Sequence, residues 1–248
     1  VAGQAGTRIT HAMVLAAGLG QRLRPVTEET PKALATVAGK PLIDHIFDRL
    51  AEVGIEQVVV NTHHLADVIA AYLATRPAPP IRISHEPELL GIGGGIARAL
   101  PWLGAGPFYV ANADMLWLDG PVPALRRLAQ SWRDDAMDAV LLLMPSAKTV
   151  GIDTPGTFCL DAQGRISYPE EGKAAPFHYC GVSVLHPRLF VDLPDPPFPI
   201  LPLWERAMAR GRLWGVVHDG LAFHVGTPAG LAEAREQISP QHMRWLTI

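Results

Sequence analysis

Two cysteines among 248 residues, Cys159 and Cys180, are too few for a disulfide framework and read as reduced, packed side chains. Basic residues are not in excess either. With 21 Lys and Arg against 24 Asp and Glu the net charge is −3, so no global field draws nucleic acid or acidic lipid. Any anion bound here must be held by a local cluster of cations. No apolar run approaches the roughly 20 residues of a membrane helix. The N-terminal "VAGQAGTRITHA" lacks the basic-then-apolar order of a secretory leader and is set aside from the fold. No internal repeat and no low-complexity tract is present. These absences point to a cytoplasmic protein with neither a nucleic-acid nor a membrane partner.

Apolar residues are plentiful, at 48 %, enough for a sizeable core. In the first half, short apolar runs alternate with helical periodicity. Strands are expected at 12–16, 55–61, 81–86, 107–112 and 138–144, and helices at 41–54, 64–74 and 122–132. A further helix is expected after Gly93-Gly94-Gly95, with Pro101 disturbing its end. This order predicts an α/β fold of three layers: a mostly parallel, twisted sheet with helices on both faces. The second half reads as a hairpin at 157–168, a strand at 179–186, a helix within 197–211, two more strands, and a helix at 227–238 capped by Thr227. It is expected to add mixed strands to the same sheet within one domain. In such sheets ligands sit beyond the carboxyl ends of the strands, which draws attention to 17–32, 61–64, 86–95 and 112–114.

The first of these stretches, "LAAGLGQRLRPVTEETPK" (15–32), is poor in core residues. Gly18 and Gly20 permit a tight turn whose backbone N–H groups converge on an anion. Arg22 and Lys32 add the donor fork and the point charge that suit polyphosphate. The stretch is no P-loop, since "AGKP" (38–41) fails the spacing, and no dinucleotide fingerprint, since Leu23 stands where the third glycine belongs.

"LAAGLGQRLRPVTEETPKALATVAGKPLIDH" is similar, without a gap, to the N-terminal signature of the sugar-1-phosphate nucleotidylyltransferases. "LLGIGGGIARAL", "ANAD", "YCGVSVLHP" and "HVGTP" follow in that family's order. The resemblance spans nearly all of the chain and implies a Rossmann-like nucleotidyltransferase fold. It implies a nucleotide-binding half at about 10–115 and a sugar-binding half at about 116–240. It also implies a reaction: a sugar-1-phosphate oxygen attacks the α-phosphorus of a nucleoside triphosphate and pyrophosphate leaves. The roles it implies are Arg22, Lys32 and Asp114 in catalysis and Leu15, Ala16, Ala17, Gly18, Gly20, Gly93 and Gly94 around the nucleotide. Asn112, Glu170 and Gly181 fall on the sugar side, with Glu171 an alternative to Glu170. The implied cofactor is Mg²⁺, on Asp114.

Three positions depart from the family pattern. Ile92 stands where threonine is common, Ala113 where glycine is, and His224 where the second metal carboxylate belongs. His224 is therefore a metal ligand, a phosphate contact or a packed ring. Among shorter members, "LLGIGGGIARALPWLG" and "YCGVSVLHPRLF" look most like the uridylyltransferases that act on N-acetylmuramate 1-phosphate in bacterial cell-wall recycling. Two alternatives remain: guanylyl transfer to mannose 1-phosphate, and nucleotide-sugar binding without catalysis.

Overall fold

The fold is described from a computed structural model, which covers residues 7–152 and 154–238. The expectation about the N-terminal segment therefore falls partly outside the described residues. Fourteen strands and six α-helices follow along the described chain. The first half holds β1 (His11–Leu15), β2 (Thr36–Val37), β3 (Lys40–Pro41), α1 (Leu42–Glu52), β4 (Gln57–Thr62), α2 (Ala66–Leu73), β5 (Ile81–His85), α3 (Gly91–Ala99), β6 (Phe108–Asn112) and β7 (Met115–Leu118). Then come α4 (Ala124–Ser131), β8 (Ala139–Pro145), β9 (Thr149–Val150), β10 (Cys159–Leu160), β11 (Ile166–Ser167) and β12 (Phe177–Leu185). The chain ends in α5 (Leu201–Ala209), β13 (Leu213–Val217), β14 (Leu221–His224) and α6 (Pro228–Gln237).

Seven strands form the main sheet in the order β13-β8-β12-β6-β1-β4-β5. All neighbours are parallel except β12, which runs antiparallel to both β6 and β8. The sheet thus draws strands from both halves of the chain. Period-two alternation sorts its side chains. Ala12, Val14, Val58 and Val60 face one way, into a core with Ile46, Phe47, Ile69 and Leu125 of α1, α2 and α4. Met13, Val59 and Val110 face the other way, against Ile96 of α3 and Leu203 and Trp204 of α5. These are the three expected layers.

The second half departs from expectation in two respects: the β10–β11 hairpin forms a two-stranded sheet of its own, and a further sheet stands apart. β8, β12 and β13 extend the main sheet, but β7, β14 and β9 form a separate three-stranded sheet. Leu116, Phe223 and Val225 of that unit pack with Leu231 and Ala234 of α6 and with Leu23 and Val37 from the loop after β1. This third core holds the glycine loop from below. Thr227 caps α6 by accepting from the Gly230 N–H at 3.1 Å. α3 ends at Ala99, and Pro101 lies in the short 3₁₀ turn that follows.

Candidate active site

The carboxyl ends of β1, β4, β5 and β6 open into a cavity of about 230 Å³. Leu15, Ala16, Ala17, Gly18 and Gly20 form one wall, Lys32 and Asp114 a second, and Asn61, Glu86, Leu89 and Ile92 a third. Asn112 closes the floor beside Ala113.

The glycine loop turns for local reasons. Gly20 lies at φ +63°, in the left-handed region, and a Cβ there would meet the Thr27 side chain at 2.8 Å. The Thr27 hydroxyl donates to the Gly20 carbonyl at 2.8 Å and folds the loop back on itself. Buried Leu23 anchors it, and a 3₁₀ turn at Lys32–Leu34 presents the lysine. Gly18 differs: a Cβ added there would meet nothing within 4 Å. Its open side is the cavity.

One wall of the cavity rests on a buried hydrogen-bonded chain. The Ala16 N–H donates to Asn61 Oδ1 at 2.8 Å, and Asn61 Nδ2 donates to Glu86 Oε1 at 2.8 Å. Glu86 Oε2 accepts from the Leu90 N–H at 3.1 Å. Asn61 is 4 % exposed and Glu86 1 %, so the bonds of Asn61 to Ala16 and to Glu86 are withdrawn from water. The sequence marks Asn61 as a strand-end polar residue. It gives no role to Glu86, whose one signal is its position immediately after β5.

The charged side is built by β7 and β14. Their register pairs Met115 with His224, which sets His224 beside Asp114. The Val225 N–H donates to the Asp114 carbonyl at 2.9 Å and fixes the junction. Lys32 Nζ donates to Asp114 Oδ2 at 2.5 Å, and His224 Nε2 lies 3.7 Å from the same oxygen. Burial alone would raise the Asp114 pKa, but the Lys32 ammonium and its hydrogen bond outweigh it and hold the carboxyl below its usual range. Burial lowers the His224 pKa, against the pull of Asp114; the charges of Lys32 and Arg22 lower it further, so the ring is neutral at pH 7.

The structure brings together most of the residues singled out in the sequence. Leu15, Ala16, Ala17, Gly18, Gly20, Lys32, Asn112 and Asp114 all line the cavity. Arg22 does not line the cavity; it is exposed to solvent, and its charge is felt by His224. Three other placements correct expectation. Gly93 and Gly94 lie inside α3 and do not line the cavity. A Cβ on Gly93 would strike the Phe198 ring at 2.6 Å, and one on Gly94 would press on Leu90 at 3.1 Å, so these glycines admit side chains rather than a ligand. Glu170 sits in a surface turn, paired with Lys173 at 2.5 Å with both side chains largely exposed. Its neighbour Glu171 is exposed as well. Gly181, at φ +69° in a bulge of β12, stands behind the cavity wall, where a Cβ would meet Met115 at 2.4 Å and Asn112 at 3.1 Å.

A divalent cation is compatible with this donor set. No group of three or more His, Cys, Asp and Glu side chains is gathered among the described residues. One carboxylate with water and substrate phosphates is nevertheless a usual Mg²⁺ environment. Asp114 supplies that oxygen, and neutral His224 is the one nitrogen donor beside it.

A glycine turn facing a lysine–carboxylate pair, at the head of a mostly parallel sheet, is the arrangement of a nucleotidyltransferase. The chain matches the MobA-like NTP transferase domain over residues 12–190 and belongs to that family. It is 45 % identical to the N-acetylmuramate alpha-1-phosphate uridylyltransferase of Caulobacter vibrioides over 90 % of this chain and 96 % of that protein. It is 35 % identical to the enzyme of the same name from Neisseria meningitidis, again over 90 % and 96 %. The fold matches a solved UDP-glucose pyrophosphorylase complexed with UDP-glucose at a TM-score of 0.77 and 19 % identity, covering 92 % of this chain and 98 % of that one. No helix among the described residues is long and apolar enough to cross a membrane.

Proposed function

We propose that this protein transfers a uridylyl group from UTP to N-acetylmuramate 1-phosphate, releasing pyrophosphate and forming UDP-N-acetylmuramate. The observation that carries the reading is the Lys32–Asp114 pair, 2.5 Å apart, at the mouth of a glycine turn. The names of the two relatives matched over nearly their full length supply the base and the sugar.

One phosphate oxygen of the sugar 1-phosphate bonds to the α-phosphorus. The bond from that phosphorus to the β-bridging oxygen breaks, and its electron pair leaves on pyrophosphate. No Ser, Thr or Cys lines the cavity, so no side chain of those types is placed to form a covalent intermediate. The chain acts by position and charge. Backbone groups at Ala16, Ala17, Gly18 and Gly20 receive the nucleotide, beside the apolar Leu15. Lys32 turns from Asp114 toward the reacting phosphates as they arrive. Arg22 draws the outer phosphates, and Asn112 meets the sugar. Asp114, with His224 beside it, would hold Mg²⁺, which would supply charge neutralisation to the phosphates. Glu170 takes no part, being paired at the surface. A UTP-dependent reaction fits the cytoplasm, and its product fits cell-wall recycling.

The test is pyrophosphate release across UTP, CTP, GTP and dTTP, each with N-acetylmuramate, N-acetylglucosamine and mannose 1-phosphates. UTP with the muramate phosphate is expected to give the highest kcat/KM. Faster turnover of GTP with mannose 1-phosphate would replace the reading with guanylyl transfer. Tight nucleotide binding with no pyrophosphate release in Mg²⁺ or Mn²⁺ would replace it with a binding protein.

A further inference from the structure

A second cavity of about 150 Å³ lies between the main sheet, α3 and α5. Leu15, Ile92 and Asn112 line both cavities, so the second joins the first at its sugar side. Its remaining wall is made chiefly by Ile96, Val110, Leu185, Ile200 and Trp204. Two hydroxyl residues, Tyr179 and Ser183, also reach it, and Tyr179 spends its donor on Ser183 Oγ at 3.2 Å. Trp204 meets Tyr179 edge-on at 4.9 Å, which fixes the shape of that end. The Trp204 indole Nε1–H is buried with no hydrogen-bond partner. No Lys, Arg or His among the described residues lines the space.

These features describe an occupant. The volume equals roughly five waters at ~30 Å³ each, which suits a small substituent. A sugar hydroxyl placed here would be stripped of water with few partners in return. A carboxylate would meet no cation. A short acylamino group meets neither objection, because its alkyl end packs on Ile96 and Val110 and Asn112, which lines both cavities, offers its amide a polar partner.

We propose that this cavity is the specificity pocket for the acylamino substituent of the sugar 1-phosphate. Ile96 and Trp204 set the length of acyl chain accepted. The inference rests on the uridylyl-transfer reading and deepens it. An N-acetylated muramate phosphate enters with its acetamido group inward, and its carboxylate-bearing ether stays in the wider, polar cavity.

The test compares kcat/KM for muramate 1-phosphate carrying a free amine, an N-acetyl, an N-propanoyl or an N-butanoyl group. The wild-type protein is expected to favour N-acetyl over the free amine by tenfold or more, the scale set by small groups in apolar pockets. Ile96→Phe fills the cavity and is expected to shrink that ratio at least tenfold. Ile96→Val, which removes a single buried methylene, enlarges it and is expected to move the preference toward N-propanoyl; it carries the test if the phenylalanine variant does not fold. Trp204→Phe, which also deletes the unpaired N–H, is expected to shift the preference in the same direction. Equal kcat/KM for acylated and free-amine sugars in the wild-type protein would overturn the pocket and leave uridylyl transfer intact. Acyl-length preferences unmoved by the Ile96 and Trp204 variants would do the same. No turnover of any muramate derivative, with brisk turnover of another sugar phosphate, would overturn the functional reading and the pocket with it.

Discussion

The two sides of the cavity are built on opposite plans. On one side, Asn61 and Glu86 are buried and their polar atoms are committed to Ala16, Leu90 and each other. On the phosphate side, Lys32 and Asp114 keep 16 % and 23 % of their side chains exposed, and Arg22 is exposed to solvent. The first arrangement is completed by folding itself. The second holds opposite charges against one another until a ligand of higher charge arrives. A satisfied buried network gives shape, whereas an ion pair that still touches solvent at a cavity can exchange its partner for the charge of a ligand.

Substitutions on the two sides should therefore fail differently. The largest effect is expected from Asp114→Asn, which keeps the shape and removes the charge. Turnover should fall by about 10²–10³, the scale of losing one charge-stabilising group, with the melting temperature little changed. Asn61→Ala should do the reverse. It strands the Ala16 N–H and a Glu86 oxygen, so unfolding free energy should fall by about 1–3 kcal/mol in denaturant titration, and KM for UTP should rise with it. A loss of activity in Asn61→Ala without loss of stability would break the comparison.

The glycines sharpen it further. Gly93→Ala forces a Cβ against Phe198 and should destabilise by about 1–3 kcal/mol. Gly18→Ala meets no protein atom, so stability should hold while KM for UTP rises. The smallest effect at neutral pH belongs to His45, which ties α1 to Val37 in the segment after Lys32 through Nε2 at 3.0 Å from that carbonyl. Burial lowers its pKa from 6.5 to about 4. The unfolded chain thus takes up a proton at higher pH than the folded one. Stability is complete above pH 6.5 and is lost as pH falls toward 4, by up to ~3 kcal/mol. His45→Gln should flatten that slope in melting curves taken between pH 4 and 6.5.

What the sequence made legible follows the same division. Alternating strands and helices were readable because their periods are local, and the carboxyl-end rule pointed to the loops that line the cavity. Lys32 stands out from the make-up of its loop and Asp114 through motif resemblance; their direct contact, across 82 positions, is not foreseeable from spacing. The separate sheet of β7, β9 and β14 escaped notice because β9 has only two residues and β7 follows β6 after a two-residue turn. Gly93 and Gly94 misled, because a glycine that yields room to a side chain looks in sequence like one that yields room to a ligand. Phe198, the residue that distinguishes the two cases, lies more than a hundred positions away. Glu86 was passed over because a single carboxylate in a loop carries no pattern until Asn61 is seen beside it.

The central claim is that the phosphate side works by position and charge alone, with one displacement at phosphorus. The stereochemistry of transfer from UTP carrying a single sulfur on the α-phosphorus, with N-acetylmuramate 1-phosphate as acceptor, tests it most directly. The account predicts inversion of configuration at that phosphorus in the UDP-sugar formed. Retention would require a covalent intermediate on the protein and would contradict it.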